Sequence, residues 1–366
     1  LRCWLGAVIA LAAMAGVGGL QASLTRDRFR WGEPYALALL VAGGCRLMVA
    51  ADDLVVLFAA MELASLAAYG LVGLHRDRDA SGEGLMKYLV TGAVFAGLFL
   101  YGTALVYGAT GGTGLRAEAL PGRETLLVLG RGLVTVALLF KVGAVPFHFW
   151  APDAYCGASP GATGLLAAAI KVGGFAALAG VWCGALDPAG GPSLSRILAA
   201  GTPAAGPALP RVLLAIGLLS VVVGTGSMLG QTSLRRLIAF SAVAHAGWLL
   251  LALAPGPGAA LDLSAFALYL LAYAAAVAGV MAGLSGACGT DDDDRLTVLA
   301  GLGRQRPWLG AGLTVLLLSL AGLPPAAGFL AKLSVLTGLF ARGQMLSALL
   351  ALGLALVGII AYLPLL

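Results

Sequence analysis

The chain is divided into apolar runs that are each long enough to cross a lipid bilayer, and this pattern leaves few folds open. The runs cover residues 3-22, 35-50, 54-74, 84-107, 125-150, 160-183, 211-229, 234-254, 262-286, 308-336 and 345-366, separated by clusters of Gly, Pro, Asp and Arg. In lipid every backbone N–H and C=O must find its partner within the protein, so only helices or a closed barrel can span it. These runs are too long and continuous for barrel strands, which predicts an all-α polytopic membrane protein with about 11 transmembrane helices. Composition agrees: 60% of the 366 residues are hydrophobic and 11% are charged, against about 25% charged in soluble domains. No stretch is left over for a water-soluble domain.

The formal net charge of +5 comes from arginines in short loops between apolar runs, where topology accounts for them and a nucleic-acid partner does not. Cys3, Cys45, Cys156, Cys183 and Cys288 stand singly, without the C-x-x-C spacing of a zinc site or an iron-sulfur cluster, and read as small apolar packing residues. The first run is long for a signal-peptide core, and "LTRDRFRW" after it offers no cleavage site, so it reads as a spanning helix. The chain opens on Leu and ends "AYLPLL" within an apolar run, which suggests a fragment, incomplete at one or both ends.

Loops after the first, third, seventh and ninth runs carry Arg26, Arg28, Arg30, Arg76, Arg78, Arg235, Arg236, Arg295, Arg304 and Arg306. The opposite loops show mainly Arg116, Arg123, Arg196, Arg211 and Arg342. The excess places the arginine-rich loops in the cytoplasm and residue 1 on the outer side. The run Asp291 to Asp294 then lies in a cytoplasmic loop as a solvated connector.

An internal repeat emerges from the order of the runs. Residues 1-34 supply a leading helix and loop, 35-183 a first set of five helices, 184-210 an outer connecting loop and 211-366 a second set of five. An odd number of helices inverts the second set relative to the first. The fourth helix of each set is broken, by "GAVPFHFW" around Pro146 and by "AGLPPAAG" around Pro324 and Pro325. Paired interruptions at matching places in two halves point to an ion or substrate pathway near the bilayer midplane. The second helix of each set carries an ionisable group, Glu62 or His245.

A charge in mid-membrane costs about 2.5 to 3.5 kcal/mol on insertion scales. By helical rise, Glu62 lies roughly 12 to 15 Å into its run, and Lys141, Lys171 and His245 roughly 15 to 25 Å into theirs. Lys332 follows the Pro-Pro break. One static ion pair would need only two of these five. Lysines suit proton transfer because desolvation lowers and a nearby carboxylate raises their affinity for a proton, so moving Glu62 relative to Lys141 would switch the lysine between holding and releasing it. The prolines free backbone carbonyls that need water or polar partners, which predicts hydration beside the lysines. Lys87, about a turn inside its run, reaches the interface by snorkelling. His148, Trp150 and Asp153 are expected at a helix end. His148 and His245 read equally as hydrogen-bonded core residues or as relays. The three histidines lack H-x-x-x-H spacing for a metal, and "GATGGTG" lacks the ending and strand context of a nucleotide loop.

"MELASLAAYGLVG", "GEGLMKYLVTGAVFAGLFLYGTALVYGATG", "LFKVGAVPFHFWAPDAYCGASP", "LRRLIAFSAVAHAGWLLL" and "LSLAGLPPAAGFLAKL" together resemble the antiporter-like subunits of proton-pumping NADH:quinone oxidoreductase, respiratory complex I. Among these, subunit N is favoured by "MKYLVTGA", by "WAPDAY" and by Lys332 where subunit M would carry a glutamate. The resemblance runs from about residue 34 to 340. It implies fourteen helices in two inverted five-helix repeats around a hydrated chain of charges. About two N-terminal helices and the last C-terminal one would then lie outside this sequence. It implies Glu62 and Lys141 as a coupled pair, Lys171 as a connecting residue, His245 as a central relay and Lys332 as the distal proton-exchanging site. It also implies energy from NADH oxidation and quinone reduction elsewhere, with NADH, FMN, iron-sulfur clusters and quinone held by other subunits and no cofactor here. The expected neighbours are subunit M, the small membrane subunits K and J, and lipid. Cys156, "SPGATG", Phe240 and Ala242 depart from the family pattern beside this axis. Two readings compete: a subunit of an Mrp-type Na⁺(K⁺)/H⁺ antiporter, and a structural subunit whose charges are static pairs.

Overall fold

The computed structural model describes residues 2–26, 32–183, 208–254, 263–287 and 295–365. Arg28, Arg30, Arg196, Cys288, the run Asp291 to Asp294 and most of the connecting segment 184-210 lie outside them. Fifteen α-helices follow in order: α1 (Arg2–Arg26), α2 (Glu33–Ala50), α3 (Leu54–Val72), α4 (Asp79–Thr110), α5 (Glu124–Val142), α6 (Ala151–Gly157), α7 (Pro160–Leu165), α8 (Lys171–Cys183), α9 (Ala208–Met228), α10 (Leu234–Leu253), α11 (Leu263–Ala287), α12 (Leu302–Gln305), α13 (Pro307–Ala321), α14 (Ala327–Ala341) and α15 (Met345–Tyr362). A π-helical turn at Leu166–Ile170 joins α7 to α8. Among the described residues, 10 helices or joined helical segments are long and apolar enough to cross a membrane, and α13 and α14 are shorter apolar helices. Taken as two halves of one broken span, they make the expected eleven.

Each set repeats the same packing: α2 lies on α3 and α8 as α9 lies on α10 and α15, and α4 on α5 as α11 on α13. The halves meet where α6 of the first set packs on α10 of the second, with α1 against α7 and α11. Burial follows this order. The Pro160–Val181 and Leu234–Leu253 spans are 94% and 89% buried, whereas Asp79–Thr110 and Met345–Leu365 are 28% buried and present Leu and Val side chains outward. The central helices can be buried on all sides because small residues let backbones approach. A Cβ on Gly224 would meet the backbone of Ala244, and one on Gly130 the backbone of Gly102.

Three sequence expectations need correction. The run 84-107 is part of a longer helix, Asp79–Thr110, because the polar residues of its first turns lie against α6 rather than in a loop. The break expected within the run 125-150 falls at Gly143, the start of "GAVPFHFW", and not at Pro146: α5 stops at Val142, where Gly143 turns left-handed at φ +68° and returns its N–H to the carbonyls of Leu139 and Phe140. Cys3 is exposed, while Cys45 is packed in the core.

The described loops sort onto two faces. On one, Arg2 pairs with Asp52, and the loop after α4 lies along the start of α3 through Leu54 N–H to Thr113 O at 2.8 Å. On the other, Asp153 meets Arg236 at 2.9 Å, and Ser233 lies beside Arg295.

Candidate functional site: a buried line of cations

Three lysines and one histidine from both repeats are drawn into the centre: Lys141 is 4% exposed, Lys171 4%, His245 5% and Lys332 8%. Lys141 occupies the last turn of α5, where the carbonyl end of a half-helix favours a cation. Among the described residues its Nζ makes no hydrogen bond, and it sits 5.7, 5.5 and 5.8 Å from the ring centres of Tyr69, Tyr88 and Phe140, a setting that holds an ammonium by cation–π attraction. Glu62 of α3 acts on it electrostatically without a direct ion pair, and its Oε1 is likewise buried and unpartnered. The charges are therefore close enough to attract, with neither committed to a contact.

Lys171 begins α8 immediately after the π turn, an insertion that re-aims the side chains beyond it. Its Nζ donates to the Ala242 carbonyl on α10 and lies 5.3 Å from the Tyr273 ring centre. Lys141, Lys171, Tyr155 and Ala242 line one cavity with about 10 Å³ open to the centre of a water molecule, enough for a single water. The Tyr273 ring continues the line to His245, with centroids 4.8 Å apart. His245 Nδ1 is 2.8 Å from the Tyr269 hydroxyl. A second cavity of about 10 Å³ lies among His245, Tyr269, Tyr273, Ser319 and Leu320.

Lys332 closes the line at the second break. Its Nζ donates to the carbonyls of Leu320 at 3.3 Å and Ala321 at 2.7 Å, and lies 5.8 Å from the Trp248 ring centre. These are carbonyls that the end of α13 leaves without helical partners, so the lysine itself caps the break. In the first break the Phe140 carbonyl, which already accepts from Gly143 N–H, also accepts from Trp150 Nε1 at 3.0 Å. Pro146, Pro324 and Pro325 are exposed rather than lining the axis. The expected polarity beside the lysines comes from carbonyls and two water-sized cavities.

The other candidates lie off this line. Lys87, eight residues inside α4, bonds Glu83 at 2.5 Å and Asp153 at 2.6 Å instead of snorkelling alone, and Asp153 also takes Arg236. Half-buried His148 joins none of these groups, and its Nδ1 is unpartnered. Trp150 is buried and stacked on Tyr88 at 4.2 Å, not interfacial. The sequence reading missed Tyr69, Tyr88, Trp248, Tyr269 and Tyr273, since an aromatic in an apolar run carries no spacing signal. It also missed Arg131, a charge two turns inside α5. Among the described residues no group of three or more His, Cys, Asp or Glu could hold a metal.

Fold and site together define an inverted-repeat, multi-pass membrane protein with a buried cationic axis. Residues 51–358 match the family described as NADH:quinone oxidoreductase/Mrp antiporter, transmembrane, and the chain belongs to it. It is 40% identical over 316 residues to NADH-quinone oxidoreductase subunit N of Mycobacterium tuberculosis, covering 83% of this chain and 56% of that protein. Against subunit N 1 of Sorangium cellulosum it is 39% identical over 348 residues, covering 91% and 64%. The chain thus spans little more than half the length of its mycobacterial relative. A chain of respiratory complex I from Thermus thermophilus with bound aureothin superposes with a TM-score of 0.79 at 34% identity, covering 99% of this chain and 75% of that one. A chain of the Mrp complex from Dietzia shares the fold, with a TM-score of 0.82 at 22% identity, covering 99% and 65%.

Proposed function

We propose that the chain moves protons as a membrane-arm subunit of NADH:quinone oxidoreductase, driven by quinone reduction in other subunits. The observation that carries this is the succession of Lys141, Lys171, Tyr273, His245 and Lys332 across both repeats, with one water-sized cavity lined by Lys141 and Lys171 and another beside His245. Glu62 modulates Lys141 through space. A proton gained at Lys141 passes by the shared cavity to Lys171, then through His245 to Lys332, with each ammonium held by rings and carbonyls rather than by a carboxylate that would trap it.

No redox centre is assigned to this chain; NADH, FMN, iron-sulfur clusters and quinone belong to partner subunits, with the subunit M equivalent and the small K and J subunits as membrane neighbours. The arginine-rich face lies in the cytoplasm of a bacterial inner membrane. The Mrp-type reading has the shared family model in its favour, and replacing Na⁺ and K⁺ by choline separates the two, since an antiporter loses its activity and the proposed pump does not. The deciding experiment is NADH-driven proton uptake by membrane vesicles carrying Lys141→Ala, with native gels to follow assembly. Uptake and quinone reduction should both fall in an assembled complex. Wild-type uptake would overturn the reading.

A further inference from the structure

Arg131 is a buried charge that the proton line does not use. It lies on α5, ten residues before Lys141 and thus about 15 Å nearer the face assigned to the outside. It is 3% exposed. Its Nη2 donates to the carbonyls of Leu115 at 3.1 Å and Ala117 at 2.9 Å, in the loop that follows α4. Among the described residues its buried Nη1 has no hydrogen-bond partner and no carboxylate pairs with it. One turn further in, Thr135 donates to the Arg131 carbonyl at 2.8 Å, which continues a polar track towards Lys141. On the outward side, Leu115 also lines a small cavity with Arg2, Asp52 and Arg116. Arg131 therefore stands between an outer charged pocket and the lysine end of the proton line.

We infer that Arg131 is an electrostatic barrier, a fixed positive charge that stops protons escaping from Lys141 directly to the outer face. The inference rests on the proton-carrying reading of Lys141. A guanidinium stays protonated through the physiological range, so unlike a lysine it cannot relay a proton. Without a counter-charge in a low-dielectric setting, its field is neither neutralised nor screened, and it repels any excess proton on water between the outer pocket and Thr135. The two carbonyls hold the charge in place without cancelling it. A barrier at this point commits each proton on Lys141 to the inward line through Lys171.

The test measures passive proton flux, without NADH, into proteoliposomes holding the purified complex under an imposed potassium diffusion potential. Arg131→Met should raise the flux on the order of tenfold, while Arg131→Lys keeps the charge and stays near wild type. Adding Lys141→Ala to Arg131→Met should return the flux to baseline, because the leak runs through that lysine. Wild-type flux in Arg131→Met, or a leak that persists without Lys141, would overturn the barrier. So would failure of Arg131→Met to assemble while Arg131→Lys assembles and Arg131→Gln also fails, since Arg131 would then only staple the loop to α5. The leak needs no electron transfer, so it separates failure of this inference from failure of the pump reading, which is judged by Lys141→Ala under NADH.

Discussion

Lys141 and Lys171, thirty residues apart in the chain, line the same water-sized cavity at the junction of α5, α8 and α10. This is the space through which a proton leaving Lys141 would reach Lys171, and it is large enough for one water. Lys171→Met should therefore halt transfer without removing a structural ion pair, because among the described residues the partners of Lys171 are a carbonyl and a ring. We expect NADH-driven proton uptake to fall more than about tenfold with near-normal complex on native gels, a loss comparable to removing a catalytic proton carrier. Uptake above half of wild type would show that the cavity is not on the route.

His245 Nδ1 is partnered by the Tyr269 hydroxyl. Tyr269→Phe removes the 2.8 Å partner of Nδ1 and leaves the ring apolar and close to its original volume. A neutral hydrogen bond of this kind contributes about 0.5 to 1.5 kcal/mol, so uptake should drop by about two- to tenfold while assembly is unchanged. Tyr273→Phe is the contrast. Its hydroxyl donates to the Ala167 carbonyl at 3.2 Å, and the ring that bridges Lys171 and His245 is kept. Tyr269→Phe should be the slower of the two.

The second break depends on a glycine. A Cβ on Gly328 would collide with the Ser319 carbonyl, and Gly328 N–H donates to Ser319 Oγ at 3.0 Å. Gly328→Ala must push α14 away from α13 and with it Lys332 from its two carbonyls. Overpacking of this kind costs about 1 to 3 kcal/mol, and we expect a lower melting temperature in detergent together with loss of uptake. Gly312, on α13 with open space around its Cα, is the control. Gly312→Ala should be neutral or slightly stabilising.

The spans, the two broken helices and the five ionisable groups of the axis were legible because each leaves a local mark: an apolar run, a proline, or a charge where lipid penalises one. What joins the charges left none. Tyr273 looks like any aromatic in an apolar run, yet its ring links Lys171 to His245. The end of α5 was misplaced because Gly143, not Pro146, terminates the helix, and only backbone geometry reveals its left-handed turn. Arg131 was passed over because a charge near the start of a run resembles a snorkelling residue. Its burial depends on the loop from Gly111 to Arg123 folding over it.

Asp153 ties the repeats together at the opposite face, accepting from Lys87 of α4 and Arg236 of α10. The lysine and arginine side chains are 44% and 49% exposed, so solvent and salt weaken both pairs. Asp153→Ala should lower the detergent melting temperature by a few degrees at low salt, with the difference shrinking in molar salt. A salt-independent loss would point instead to packing between α6 and α10.

Asp53 supplies the pH dependence. As the N-cap of α3 it accepts from Val55 N–H at 2.8 Å, Val56 N–H at 3.3 Å and the Thr113 hydroxyl at 2.5 Å. The Thr113 hydroxyl first, and the two backbone donors after it, hold this carboxyl below the usual aspartate range against the opposing effect of burial. A depressed value means that the folded protein binds the proton less readily than the unfolded chain. The resulting stability is fully present above the ordinary aspartate pKa of about 3.9 and is lost as pH falls through the folded value. Thr113→Val removes the largest cause. The variant should be less stable at pH 7 by about 1 kcal/mol, within the range of a lost capping interaction, and the gap to wild type should close in acid. Melting curves in detergent at pH 7 and near pH 3 would show it, and a gap that widened in acid would mean that Thr113 stabilises the protonated form instead.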